Sequence, residues 1–192
     1  MANIDIYDED GNCLGTADRD EAHRKGYLHR NSYVIPCNDR GEVLLGLRKG
    51  KAAYSGMWAP PAEHPGPGET SLEAAVRALK EEFSIEASPS DLIKLIELRV
   101  KLIDTIDFKD NEKQTYFGYR WNGNPEELKL RENKEARLWP AYQVGSPPLV
   151  VPVSNENLRI ILRELKKNNL LKRRHLKSGK SGGFFGIYFS LF

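Results

Sequence analysis

The chain has 192 residues, 40% of them hydrophobic, with 29 basic against 27 acidic residues and a formal net charge of +2. That is enough apolar material for one good core, so one domain with terminal extensions is expected, and the near-balanced charge carries no nucleic-acid or membrane-surface signature. Two cysteines, Cys13 and Cys37, make no disulfide framework, and residues 1–11 lack the cationic-then-apolar pattern of a secretion signal; free thiols, no membrane contact and a cytoplasmic setting are the expectation.

In chain order, residues 4–7 and 13–14 flank the turn-forming Asp8, Asp10, Gly11 and Asn12 and predict an N-terminal hairpin. A short helix over residues 19–25, closed by Gly26, follows. Strands at 32–36 and 43–47 bracket Asn38, Asp39, Arg40 and Gly41 as a second hairpin. Arg48, Lys49 and Lys51 then form a basic loop, either simply solvated or able to meet phosphate oxygens.

Residues 58–85, WAPPAEHPGPGETSLEAAVRALKEEFSI, run from a Pro/Gly-rich loop into a helix. Thr70 and Glu73 make the S/T-x-x-E capping box, in which the hydroxyl and the carboxylate each satisfy an orphan N–H of the first turn. Leu72, Ala75, Val76, Leu79 and Phe83 recur at helical spacing as the apolar face, which leaves Glu69, Glu73, Arg77, Glu81 and Glu82 for the others. Those acids are either a solvated face, with Glu73 and Arg77 an i,i+4 pair, or ligands for a hard cation such as Mg²⁺, which takes carboxylate oxygens alongside substrate phosphates. Strands are expected at 93–103, 115–121 and 136–139, with 107–113 a charged connection. Residues 145–152 are Pro-rich and irregular, and Ser154 caps a helix carrying Leu158, Ile161, Leu162 and Leu165. Strands mixed with a central and a terminal helix give an α+β fold. Residues 1–150 form the expected domain and 151–192 a C-terminal helix and tail. In that tail a basic run, LKKNNLLKRRHLKSGK, reads as a solvated helix end. The apolar GGFFGIYFSLF must dock on the core, join a sheet edge or bury in a second copy of the chain.

The loop and helix at 63–85 resemble a Nudix box, G-x5-E-x7-R-E-U-x-E-E-x-G-U. Glu69, Arg77, Leu79, Glu81, Glu82 and Ile85 fall at the required spacing, while Glu63, Ala78 and Ser84 depart from the pattern. The resemblance implies an α/β/α sandwich with a mixed sheet. It also implies a Mg²⁺- or Mn²⁺-dependent hydrolase of a diphosphate linkage, with Glu69, Glu81 and Glu82 as metal ligands and Arg48, Lys51 and Arg77 gripping phosphates. Ala78 removes one carboxylate of the box, so the base would be Glu81, Glu112 or a metal-bound hydroxide, with Glu82 the third catalytic carboxylate.

A second set of motifs is similar to the isopentenyl-diphosphate isomerase branch of that superfamily: residues 8–34 with His23 and His29, then SGMW, then EHPGPGE. This resemblance implies a second divalent-metal site at His23, His29, His64, Asp110 and Glu112, a set that favours Zn²⁺, Mn²⁺ or Fe²⁺. The isomerases place a cysteine where this chain has Ala62 and an aromatic residue where it has Val153, and a methyl group cannot exchange a proton. Three functions therefore stand: a metal-dependent hydrolase of a small-molecule diphosphate, an isopentenyl-diphosphate isomerase-like enzyme, and a non-catalytic diphosphate-binding protein.

Overall fold

Antiparallel hairpins join to a central parallel strand pair in the computed structural model, which describes residues 2–49, 55–145 and 154–171. Strands β1 (Asn3–Tyr7) and β2 (Cys13–Asp18) form the N-terminal hairpin and lead into α1 (Arg19–Lys25). Then come β3 (Leu28–Cys37), β4 (Glu42–Arg48), the two-residue strands β5 (Trp58–Ala59) and β6 (Ala62–Glu63), and α2 (Ser71–Phe83). Strands β7 (Leu92–Asp104), β8 (Lys109–Arg120) and β9 (Asn133–Pro140) precede α3 (Asn155–Lys167). All nine strands belong to one mixed sheet. β3 pairs with β8 in parallel, and the other pairs are antiparallel.

Alternation along β3 sends its side chains to opposite faces. Val34 points with Leu44 and Phe117 toward Ala75, Leu79 and Phe83 of α2, while Tyr33 and Ile35 point with Val43, Leu45 and Tyr116 toward Ile161 and Leu165 of α3. Each helix thus covers one face of the sheet, which is the α/β/α arrangement. Leu79 and Phe83 are completely buried, and each such side chain is worth about 1.5–3 kcal/mol of apolar burial. Thr70 caps α2 by the reciprocal bonds with Glu73 that the sequence predicts, and Ser84 ends it in the left-handed conformation. Gly118 on β8 is required by packing, because a Cβ there would collide with Leu170 and crowd Leu165.

Three expectations are corrected. Residues 107–113 are not a charged connection: β8 starts at Lys109, and Asp110 and Glu112 are buried in it. Their alternation with Asn111 and Lys113 is that of a strand whose inward face is polar, so hydrophobic periodicity misses it. The strand expected at 32–36 extends back to Leu28 and so carries His29. The loop before α2 contains β5 and β6, which fasten it to β4 and β3. Lys51, Val153, residues 146–152 and the tail from 172 onward lie outside the described residues.

Candidate metal centre

Four side chains from four elements meet at one end of the β3–β8 pair. Asp18 caps α1 by accepting from the N–H groups of Asp20 and Glu21, and Gly26 closes it at φ 72°, so this two-turn helix turns Ala22 and His23 inward. β3 supplies His29, and the parallel register sets it directly beside Glu112 of β8. His64 follows β6, whose residues Ala62 and Glu63 pair with Tyr33 and Ser32 of β3. One ligand atom from each of His23, His29, His64 and Glu112 can be chosen so that all lie within 4.8 Å of one another.

Two of the three imidazoles are oriented by backbone carbonyls. His23 Nδ1 lies 2.8 Å from the Arg19 carbonyl oxygen and His29 Nδ1 lies 2.8 Å from that of Tyr27. A carbonyl only accepts, so each Nδ1 carries a proton and donates, which leaves Nε2 as the ring nitrogen not engaged by the backbone. Burial pushes His23 down to about 4. Burial also lowers His64, against the opposing pull of Glu112. Glu112 Oε1 is 3.2 Å from His64 Nε2 and 3.4 Å from His29 Nε2. The His29 contact lacks hydrogen-bond geometry, so His29 Nε2 is a fully buried nitrogen without a hydrogen-bond partner. Burial of Glu112 opposes its ionisation, but its contacts with His29 and His64 outweigh that and hold its carboxyl well below the usual range. Phe108 stacks on His23 with centroids 4.6 Å apart and closes that side. A buried nitrogen without a hydrogen-bond partner, set among imidazoles and a carboxylate, fits the donor set of a divalent cation of the Zn²⁺, Mn²⁺ or Fe²⁺ type.

Asp110 is buried two residues before Glu112, on the same side of β8 by alternation, but lies outside this four-residue group. The α2 glutamates are arranged differently. Arg77 donates to Glu69 through Nε and Nη2, at 3.1 and 2.9 Å, and to the His64 carbonyl at 2.9 Å. Its Nη1 is 3.2 Å from Glu63 and 3.7 Å from Glu81. Glu82 turns inward instead, accepting from Ala62 N–H at 2.7 Å and Asn133 Nδ2 at 3.0 Å. Glu69, Glu81 and Glu82 therefore do not converge on one point, because adjacent helix residues point in directions about 100° apart and an internal cation already holds two of the three. The Arg77 fork is filled by carboxylates rather than open to phosphate. Burial pushes Glu82 up to about 7, partly offset by its two hydrogen bonds. Arg48, near enough to Glu82 to lower it, has a buried Nε without a hydrogen-bond partner.

Four more side chains around Glu112 escape the sequence reading: Asn31, Tyr33, Gln114 and Tyr116. Asn31 donates to Glu112 Oε1 at 3.0 Å and Gln114 to Oε2 at 2.6 Å. The available signal was polar residues at every second position, His29-Asn31-Tyr33 and Asp110-Glu112-Gln114-Tyr116, in segments that are otherwise strand-like.

Comparison with known proteins follows this geometry. The chain matches the NUDIX domain family over residues 27–178. It is 34% identical over 97 residues to the isopentenyl-diphosphate Delta-isomerase of Pectobacterium atrosepticum, covering 50% of this chain and 54% of that protein. It is also 34% identical over 97 residues to an uncharacterized Nudix hydrolase of Clostridium acetobutylicum, covering 48% of this chain and 47% of that one. The chain spans about half the length of the curated relatives it matches. A crystal structure of a Deinococcus radiodurans protein superimposes with a TM-score of 0.62 over 84% of this chain and 98% of that one; at 15% identity this likeness is one of fold.

Proposed function

The chain belongs to the Nudix family, and on that premise we propose that it is a divalent-metal-dependent hydrolase of a diphosphate linkage in a small molecule, with the cation held by His23, His29, His64 and Glu112. The observation that carries this reading is the meeting of those four ligand atoms within 4.8 Å, with His29 Nε2 buried and unpartnered among them. His23, His29, His64 and Glu112 would hold the cation, which would supply Lewis-acid stabilisation of charge on a diphosphate oxygen. Mg²⁺ or Mn²⁺ on the α2 glutamates is the less favoured placement, since Arg77 occupies Glu69 and Glu81.

The chain's own groups then divide the work. Arg48, whose buried Nε has no hydrogen-bond partner, would donate to a phosphate oxygen. Among the carboxylates, Glu81 lies at Arg77, Glu112 accepts from Asn31, Gln114 and His64, and Glu82 accepts from the Ala62 N–H and Asn133. Glu82 is the one that burial raises to about 7, which suits a base that must accept a proton from water near neutrality. Lys51 and Arg77 take different parts: Lys51 remains a phosphate ligand by sequence position, and Arg77 fastens the loop that carries His64.

The isomerase reading has one specific support, the similarity to isopentenyl-diphosphate isomerases, and two obstacles, Ala62 in place of the cysteine and Val153 in place of the aromatic residue. The test is to measure bound metal and then screen the protein with Mg²⁺, Mn²⁺ and Zn²⁺ against nucleoside and isoprenoid diphosphates, following products by mass spectrometry. Phosphate release that disappears in both His29→Ala and Glu82→Gln is the expected result. Uptake of solvent deuterium into isopentenyl diphosphate without phosphate release would replace the hydrolase with the isomerase. Binding of diphosphates without any turnover would leave a binding protein.

A further inference from the structure

β3 and β8 pair in parallel with His29 beside Glu112, Asn31 beside Gln114, Tyr33 beside Tyr116 and Ile35 beside Gly118. Because side chains alternate along a strand, these pairs occupy one face and make a ladder. Its rungs pass from metal ligands to amides, to phenols, and then to the apolar core under α3. The bonds run along the ladder. The Tyr116 hydroxyl donates to Gln114 Oε1 at 2.6 Å, and Gln114 Nε2 donates to Glu112 Oε2 at 2.6 Å. Tyr33 stacks on Tyr116 with centroids 4.9 Å apart, and its hydroxyl accepts from Asn31 at 3.2 Å and Gln114 at 3.4 Å.

This arrangement removes the freedom of the Gln114 amide. The Glu112 carboxylate only accepts, so the NH₂ end of the amide must face it, and the Oε1 end is left to accept from the Tyr116 hydroxyl. Glu112 then has Oε2 held back by Gln114, while Oε1 faces His29 and His64. Gln114 is completely buried and Glu112 nearly so, so no bulk water competes for these bonds, and each imposes more order than it would at a surface.

We propose that Gln114 and Tyr116, with Asn31 at the other oxygen, are positioning residues that fix Glu112 as a one-oxygen metal ligand, presenting Oε1 to the cation and withholding Oε2. The proposal rests on the metal-centre reading above. A buried polar network that served only stability would lower the unfolding midpoint when cut and leave metal affinity alone. A relay through Gln114 lowers affinity, and it makes Tyr116 matter only while Gln114 is present.

The experiment is a titration of metal-free protein with Co²⁺, followed by its visible absorption and by calorimetry, for the wild type, Gln114→Leu, Tyr116→Phe and the double variant, with urea unfolding alongside. Gln114→Leu is expected to weaken Co²⁺ binding about 10–100-fold and to alter the absorption bands, Tyr116→Phe to weaken it less, and the double variant to be no weaker than Gln114→Leu. Tyr116→Phe removes one oxygen and keeps the ring, so it carries the test even if Gln114→Leu does not fold. Unchanged affinity and bands in Tyr116→Phe, or two losses that simply add, would overturn the relay while leaving the metal centre standing. A wild type that binds no Co²⁺ would overturn the metal centre and the relay together.

Discussion

Two ends of the Nudix loop use charge in opposite ways. At His64, itself half-buried, the loop meets the buried His23, His29 and Glu112, a set with three imidazoles and one carboxyl group. At Glu69 it meets Arg77, and there Glu63, Glu69 and Glu81 gather around a guanidinium that belongs to the chain. Burial holds Glu63 above the usual carboxylate range even so, while Arg77 and the Gly66 N–H overcome burial to keep Glu69 below it. The difference is where the counter-charge comes from. The carboxylates around Arg77 are already compensated and make a clamp, whereas the histidine cluster has a buried nitrogen without a hydrogen-bond partner, which is what the proposed metal site rests on. One residue links the two, since Arg77 also donates to the His64 carbonyl.

The strongest way to break this contrast is to remove a ligand. His29→Ala should lose stoichiometric metal, a drop in affinity of more than about 100-fold, because a ligand counts for more than the groups that orient it; metal analysis after dialysis reads it. Retention of metal would move the cation to α2. Next comes Arg77→Met, which strands three carboxylates and should cost about 1.5–3 kcal/mol, the worth of hydrogen bonds to charged groups, in the urea midpoint at low salt. Added Mg²⁺ that restores the midpoint in this variant, but does nothing for the wild type, would sharpen the idea that the guanidinium stands in for a cation.

A comparable loss is expected from Gly46→Ala. A Cβ at Gly46 would come within 2.5 Å of the Asn133 side chain, so Asn133 must leave Glu82 or the strands must part, and overpacking of this kind costs about 1–3 kcal/mol. Hydrolysis should fall with stability if Asn133 orients Glu82, and hydrolysis unchanged in a destabilised variant would separate them.

The most gradual effect is a slope with pH. Glu82 is raised from 4.5 to about 7 in the fold, so between those values the folded chain holds a proton that the unfolded chain has released. Stability contributed by this group is complete below about 4.5 and declines as pH rises through 7. His23, lowered from 6.5 to about 4, acts in the opposite sense and loses its contribution as pH falls. Urea midpoints of metal-free Glu82→Gln against wild type across that range isolate the Glu82 part, and the variant should gain relative to wild type toward the alkaline end. A constant difference would mean that Glu82 titrates normally.

Local rules sufficed for much of the fold. The capping box at Thr70 and Glu73, the Gly26 stop of α1, the Ser154 cap of α3 and both early hairpins are contacts between neighbours in sequence, and all are present. The resemblance to the isomerase branch also named the residues of the histidine cluster. What the sequence by itself could not decide was which charges would already be neutralised. Glu69 before α2 and Glu81 and Glu82 on it look equivalent as carboxylates of one motif, yet Arg77 takes two and the Ala62 N–H with Asn133 takes the third. Nor could it decide that Asn31 would meet Glu112 across 81 positions. That contact depends on the parallel register of β3 and β8, which a one-residue slip would invert, turning every rung of the ladder to the other face of the sheet. Residue types and local elements follow from nearest neighbours; the supply of ligands and counter-charges is set by strand register and packing over long separations, and only the tertiary structure contains those.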